Sequence, residues 1–348
     1  MAKALGVAGA VGLAIGAGWA AAAAARRARR IELRGRVVVI TGGGRGLGFA
    51  IAREFLQRGC RLAICGRDGD VIARAVADLQ RRGADVFGAA CDASDPTQVQ
   101  AFIVQVLERF GVIDVLVNNA GQCFVGPAVE LRAEDAHEAL RHIFWTQFHP
   151  TQAVLPHMRA RRFGRIVNVT SIGGKMPTPH QAAYAIGKYA ATGWSETLAV
   201  ELPKDGVYVS TITPPPLRNG APLHVNFNGR REQEFQWFTY GLTAPWISTS
   251  AERTARVVAD AAAHGDAERA VSVISWLSAR AQGLAPNLTR WAFSRVDRSL
   301  PPPAEPGETT PMRLGQEVLE SGVEAKTLEL GARTRVDERR YQPFDGVE

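Results

Sequence analysis

The sequence predicts a doubly wound α/β fold, a parallel sheet of about seven strands with helices on both faces. Three observations carry that expectation. Val37-Val38-Val39-Ile40 is a β-branched run of the kind a strand buried on both faces requires. Five glycines between Gly42 and Gly48 then let the backbone turn sharply into the helical run Phe49–Leu56. Beyond that, strand-like and helix-like segments alternate as far as Ile212.

Each element follows in order. Arg61–Cys65 reads as a second strand and Val71–Arg82 as a helix with Gly83 near its end. Asp85–Cys91 is a third strand. Asp95-Pro96 opens a helix running through Phe110, with proline in its first turn. Ile113–Val117 is a fourth strand, followed by Asn118-Asn119-Ala120-Gly121. Arg132–Arg159 reads as one long helix that Pro150 and Pro156 should bend or break. Arg165–Val169 is a fifth strand, Gln181–Leu202 a helix and Val207–Ile212 a sixth strand. Between Pro214 and Glu252 the rhythm stops. Ser250 then caps a helix through Ala263, and Val271–Ser275 is expected as a seventh strand. Trp276–Leu300 mixes apolar residues with arginines at helical spacing; an interfacial helix pair, a dimer contact and a lid are all open. From Pro301 the composition turns to Pro, Gly, Glu and Thr, and a largely disordered tail is expected. The expected organisation is thus residues 1–30 as an anchor-like segment, 31–300 as the sheet domain with an insertion over 214–250, and 301–348 as tail.

Composition sets limits. The chain has 348 residues, 46% of them apolar, and a net charge of +7. Lys3, Lys175, Lys188, Lys204 and Lys326 are the only lysines, so the positive charge is almost all arginine. No aromatic-and-basic recognition motif accompanies it, which argues against a nucleic-acid partner. Cys60, Cys65, Cys91 and Cys123 lack metal-like spacing or a disulfide framework and read as core thiols in a reducing compartment. Ala4–Ala25 carries no charge. As a helix it would be roughly 33 Å long, close to a bilayer core. A cleaved signal peptide is the rival reading, but Arg26-Arg27-Ala28-Arg29-Arg30 just beyond favours a membrane anchor with a cytoplasmic catalytic body.

A strand, a glycine turn and a helix start form an anion site, because free N–H groups and the helix dipole point at a phosphate. Here the spacing is Gly42-x3-Gly46-x-Gly48. Together with Asn118-Asn119-Ala120-Gly121, Ser171 and Tyr184-x3-Lys188, it resembles the short-chain dehydrogenase/reductase family over about Leu33–Ala270. That resemblance implies a Rossmann-like fold and an oxidoreductase acting on an alcohol/carbonyl pair. It implies Tyr184 as general acid/base, Lys188 holding the nicotinamide ribose and tuning Tyr184, and Ser171 bonding the reacting oxygen. The chemistry suits those residue types: Lys188 lies one helical turn from Tyr184, and a cation there lowers a phenol's pKa.

The resemblance also implies where the cofactor lies. Gly42, Gly44, Arg45, Gly46, Leu47 and Gly48 form its phosphate turn, Asp92 stands near the adenine, and Asn118 and Ala120 flank the adenosine ribose. For Asn118 the other reading is an amide that braces the sheet. The second strand ends in Gly66 and Arg67 where NAD-binding members carry an acid. A guanidinium suits a 2′-phosphate, and Arg45 offers a second one, so NADP(H) is expected.

Three positions depart from the family pattern, one of them Asn219, an amide where a threonine is usual that could still bond the cofactor. Ile143 stands where an asparagine is usual, and Pro215 where glycine is usual. They favour a second hypothesis, a catalytically weakened dinucleotide-binding sensor or scaffold; an isomerase or dehydratase is a weaker third. Phe227, Phe235, Trp237, Phe238, Tyr240 and Trp246 in the insertion would suit a bulky, apolar, lipid-like substrate, or else merely pack the loop. A homo-oligomer is open.

Overall fold

The computed structural model describes residues 20–21, 23–305 and 312–343. Of the expected anchor, residues 4–25, only 20–21 and 23–25 are among them, and the rest lies outside; among the described residues no helix is long and apolar enough to cross a membrane.

Seven strands form the main sheet: β1 Val37–Thr41, β2 Arg61–Gly66, β3 Val86–Ala90, β4 Val115–Asn118, β5 Gly164–Val169, β6 Val207–Thr213 and β7 Glu268–Ala270. Their order is β7-β6-β5-β4-β1-β2-β3, and every neighbouring pair is parallel. The helices are α1 Gly46–Gln57, α2 Gly69–Arg81, α3 Pro96–Phe110, α4 Ala133–Leu140, α5 Thr146–Ala160, α6 Ala182–Glu201, α7 Arg231–Thr243, α8 Ala251–His264, α9 Val273–Leu284, α10 Pro286–Asp297, α11 Gly315–Glu320 and α12 Ala325–Arg339. One core lies between the sheet and α1, α2 and α8; a second lies between the opposite face and α3, α5 and α6. Val37 to Ile40 are fully buried between them, as their β-branched run requires. The strand order reverses between β1 and β4, and ligands of such sheets bind at that point beyond the strands' carboxyl ends.

Four expectations need correction. The long helix does not break at its prolines: α5 runs through Pro150 and Pro156, and the irregularity is a π-helical turn at Arg141–Trp145. That widened turn precedes Pro150, whose missing N–H leaves the Thr146 carbonyl without its usual helical donor. The seventh strand is Glu268–Ala270, earlier than expected, because Ser272 Oγ accepts from Ser275 N and starts α9 there. The insertion is not without rhythm, since α7 crosses it.

The largest correction concerns the tail, which is not disordered over 312–343. Arg313–Leu314 pairs antiparallel with Asn226–Phe227, and α11 and α12 follow. Val318, Leu319 and Leu330 join Phe227, Phe235, Phe238 and Leu242 in a separate apolar core. Small residues make the approach close: a Cβ at Gly315 would lie 2.1 Å from the Pro222 carbonyl oxygen. Tail and insertion together form a cap over one end of the sheet.

Candidate active site

A cleft of about 730 Å³ opens beyond the carboxyl ends of the strands. At one end the glycine turn forms its wall. Gly42 and Gly46 have φ of +65° and +56°, and a Cβ at Gly48 would lie 1.9 Å from the Gly42 carbonyl oxygen, so the turn closes only with glycine there. Thr41 Oγ1 accepts from the N–H groups of Asn119 and Ala120, both at 3.1 Å, and Asn119 Nδ2 donates to the carbonyls of Thr41 and Gly42. These bonds lock the β1 turn to the loop after β4. No side chain caps α1. Leu47 and Gly48 line the cleft, so the first-turn donors of α1 are positioned for a phosphate.

Gly42, Gly44, Arg45, Leu47, Gly48, Arg67, Asp92 and Ala120 all line this cleft with Ser171, Tyr184 and Lys188. Two expected cofactor residues do not. Asn118 is fully buried below it, its Nδ2 donating to Thr151 Oγ1 (2.9 Å) and Asn168 Oδ1 (2.8 Å); it braces β4 against α5 and β5. Gly46 supplies the left-handed backbone, and its N–H turns outward to the Tyr341 carbonyl (2.9 Å).

Two arginines and two aspartates, Arg45, Arg67, Asp68 and Asp92, line this end. Among the described residues neither the Arg45 nor the Arg67 guanidinium has a hydrogen-bond or ion-pair partner. Desolvation, then repulsion from Arg67, lowers the Arg45 pKa, against attraction from Glu338 and Asp68. Asp68 is occupied: its Oδ1 accepts from Asp70 N and Val71 N and caps α2. Asp92 accepts from Ser94 N and Ser94 Oγ. Burial pushes its pKa up, but these bonds and the Arg67 charge more than offset that, and it titrates below the usual carboxylate range.

At the other end Ser171 follows β5, and Tyr184 and Lys188 share one face of α6. Ser171 Oγ accepts from Gly173 N at 3.1 Å, which leaves its proton to donate. Lys188 is buried, its Nζ donating to the Val169 carbonyl at 3.1 Å and lying 5.6 Å from the Tyr184 ring centroid. Burial lowers its pKa to about 8. The expected lowering of the Tyr184 pKa is reversed: burial first, then the neighbouring Cys123, holds the phenol well above its ordinary value, and the Ser171 hydroxyl offsets only part of this. Tyr184 is therefore a protonated acid at neutral pH.

Among the lining residues without a role in the sequence pattern are Asn119, Cys123, His142 and Thr146. Asn119 had a signal in its motif; Cys123, His142 and Thr146 had none. Burial pushes the Cys123 thiol up to about 12 and lowers the His142 pKa, so both stay neutral near pH 7. Ile143 faces α6 rather than the cleft: it is fully buried, and a Cβ on Gly187 would come within 2.7 Å of its own Cβ. Pro215 does line the cleft. Of the six aromatic residues in the insertion only Phe238 does; Phe227 and Phe235 form the cap's core, and Trp246 is 72% exposed.

A family model described as short chain dehydrogenase matches residues 36–225. The chain is 35% identical over 180 residues to a protein of Streptomyces violaceoruber assigned as ketoacyl reductase 1 of granaticin polyketide synthase. That match covers 51% of this chain and 66% of the relative, just under two thirds of its length. Oxidoreductase UcpA of Escherichia coli (strain K12) is 36% identical over 184 residues, covering 53% of this chain and 70% of UcpA. The crystal structure of a variant actinorhodin polyketide ketoreductase with NADPH superimposes with a TM-score of 0.60 at 28% identity, over 70% of this chain and 97% of that one.

Proposed function

The chain belongs to the short chain dehydrogenase family, and from that premise we propose that it is an NADP(H)-dependent oxidoreductase interconverting a bulky, apolar alcohol and its ketone or aldehyde. The observation that carries this reading is the convergence of Ser171, Tyr184 and Lys188 in the same cleft as the glycine turn, Arg45 and Arg67. Relatives named as a ketoacyl reductase and an oxidoreductase support it.

The residues fit a dinucleotide. The first turn of α1 would hold the pyrophosphate, Arg45 and Arg67 a 2′-phosphate, and Lys188 the nicotinamide ribose. Bound there, the cofactor supplies or accepts the hydride. Tyr184 gives its proton to the substrate oxygen as that oxygen gains charge, and Ser171 donates a hydrogen bond to the same atom. The Lys188 ammonium stabilises the phenolate that remains. Ile172, Pro215, Leu217, Val225, Phe238 and Leu242 give the substrate end an apolar wall, which favours a bulky apolar substrate.

Monitoring NADPH absorbance over a carbonyl panel tests this. Turnover should rise with apolar bulk, fall by about 10²–10⁴-fold in Tyr184→Phe and exceed that with NADH. Equal kcat/KM for both dinucleotides would sink the NADP(H) assignment. Ile143 and Pro215 favour one alternative, a dinucleotide-binding sensor with weakened catalysis. NADPH binding without turnover of any carbonyl would select it. We also propose attachment to a membrane through residues 4–25 with the catalytic body cytoplasmic, a reading the basic run after Ala25 supports. Recovery of the full chain in the soluble fraction without detergent would remove it.

A further inference from the structure

The hairpin α9–α10 has almost no interior. Nothing in α10 is buried, and in α9 only Ser275 is. Val273, Trp276, Leu277, Leu284, Leu288 and Trp291 are large, apolar and between 49% and 87% exposed. Helices of about 12 residues are marginal in water without a packed face. A contiguous exposed apolar face of this kind marks a binding surface.

Its charge narrows the partner. Arg280, Arg290, Arg295 and Arg298 carry its positive charge; Glu268 pairs with Arg280 at 3.1 Å, and the hairpin's own carboxylate, Asp297, lies 3.8 Å from Nε2 of the buried His180, which leaves a cationic excess. Each helix repeats one pair, a tryptophan with an arginine a turn later. Arg280 sits 5.4 Å from the Trp276 ring centroid, and Arg295 sits 5.3 Å from that of Trp291. Tryptophan takes the boundary between hydrocarbon and water, and arginine beside it reaches phosphate.

We propose that α9–α10 lies on an anionic lipid surface, its tryptophans at the acyl boundary and its arginines among the headgroup phosphates. A second copy of this chain, with net charge +7, would set arginines against arginines; an anionic bilayer satisfies both the apolar and the cationic groups. Arg26, just beyond the first apolar run of the sequence, pairs with Asp266 at 2.8 Å, and from Asp266 the chain reaches the Ser272 cap of α9 within about 20 Å. The docked hairpin would also steady the substrate end. Asp297 meets His180, four residues before Tyr184, and Arg280 shares Glu268 with Lys175 beside Ser171. The proposal does not rest on the reaction assigned above.

The test uses the full chain in phosphatidylcholine vesicles with or without phosphatidylserine, the acyl chains brominated to quench tryptophan. Trp19, in the first apolar run, is replaced by phenylalanine throughout. Anionic vesicles should quench the emission, and W276F/W291F should lose most of that quenching. Without phosphatidylserine, or in R290Q/R295Q, it should fall at least about twofold. Quenching that persists without Trp276 and Trp291, or that ignores lipid charge, overturns the proposal. Light scattering that shows a dimer abolished by Leu277→Glu would give the face to a second copy and overturn it equally.

Discussion

The sheet body and the cap over it are held together in different ways. In the body, from Val37 to Thr213, each strand lies beside its partners through regular crossovers, and apolar runs settle which residues are inside. The cap is assembled from pieces remote in sequence. Phe124–Val125, Asn226–Phe227 and Arg313–Leu314 form one small sheet, and Glu338 reaches His224 at 2.6 Å. The family match ends at residue 225, near the start of this assembly. The contrast teaches that the body holds the chemical groups while the cap shapes what reaches them.

The sharpest break of that division is Tyr184→Phe. It removes the proton donor and nothing from either core. We expect kcat to fall by about 10²–10⁴-fold with the melting temperature unchanged. A variant that stays active would mean the chemistry lies elsewhere. Next in size is Phe235→Ala, which empties a fully buried site in the cap. The expected cost is about 3–5 kcal/mol, confined to the cap. Proteolysis should then cut within residues 214–343 while the sheet keeps its circular dichroism. Loss of both regions in one transition would show that body and cap are a single cooperative unit.

Arg67→Ala sharpens the comparison from the body's side. The guanidinium stands at the cleft with no partner among the described residues. If it receives a 2′-phosphate, the ratio of kcat/KM for NADPH over NADH should drop roughly 10- to 100-fold. An unchanged ratio would assign Arg67 to solvent.

The same contrast explains what the sequence made legible. The body's strands, the glycine turn and the lining positions of Ser171, Tyr184 and Lys188 follow from local patterns of period, spacing and residue type. Asn118 reads two ways from sequence, because one amide can flank a ribose or brace a sheet; the brace rests on bonds to Thr151 and Asn168 that lie 33 and 50 residues away. The spacing of Tyr184 and Lys188 points to a lowered phenol pKa, whereas burial and Cys123 raise it. The cap escaped for another reason. Residues 312–343 look polar and poor in apolar residues, and Leu319 and Leu330 are buried in one cluster with Phe235, remote in sequence and outside any local window. Cys123 and His142 reach the cleft by tertiary placement alone.

The smallest expected effect tests the seam between the two regions. Burial pushes the Glu338 pKa up, but bonding and attraction to His224, with help from Gln342 and Arg45, hold it below its ordinary value of 4.5. A carboxyl that titrates lower folded than unfolded stabilises the fold above the unfolded value and loses that contribution as pH falls through the folded one. Glu338→Gln should therefore weaken the cap by about 1 kcal/mol at pH 7 in urea melts, and the difference from wild type should shrink as pH falls below 4.5 and through the lower value of the folded carboxyl. The same substitution removes the carboxylate that competes for Arg45. NADPH should then bind a few-fold tighter even as the cap loosens. Stability and affinity moving in opposite directions would show that the tail regulates the cofactor end; a parallel loss of both would reduce Glu338 to a structural tie.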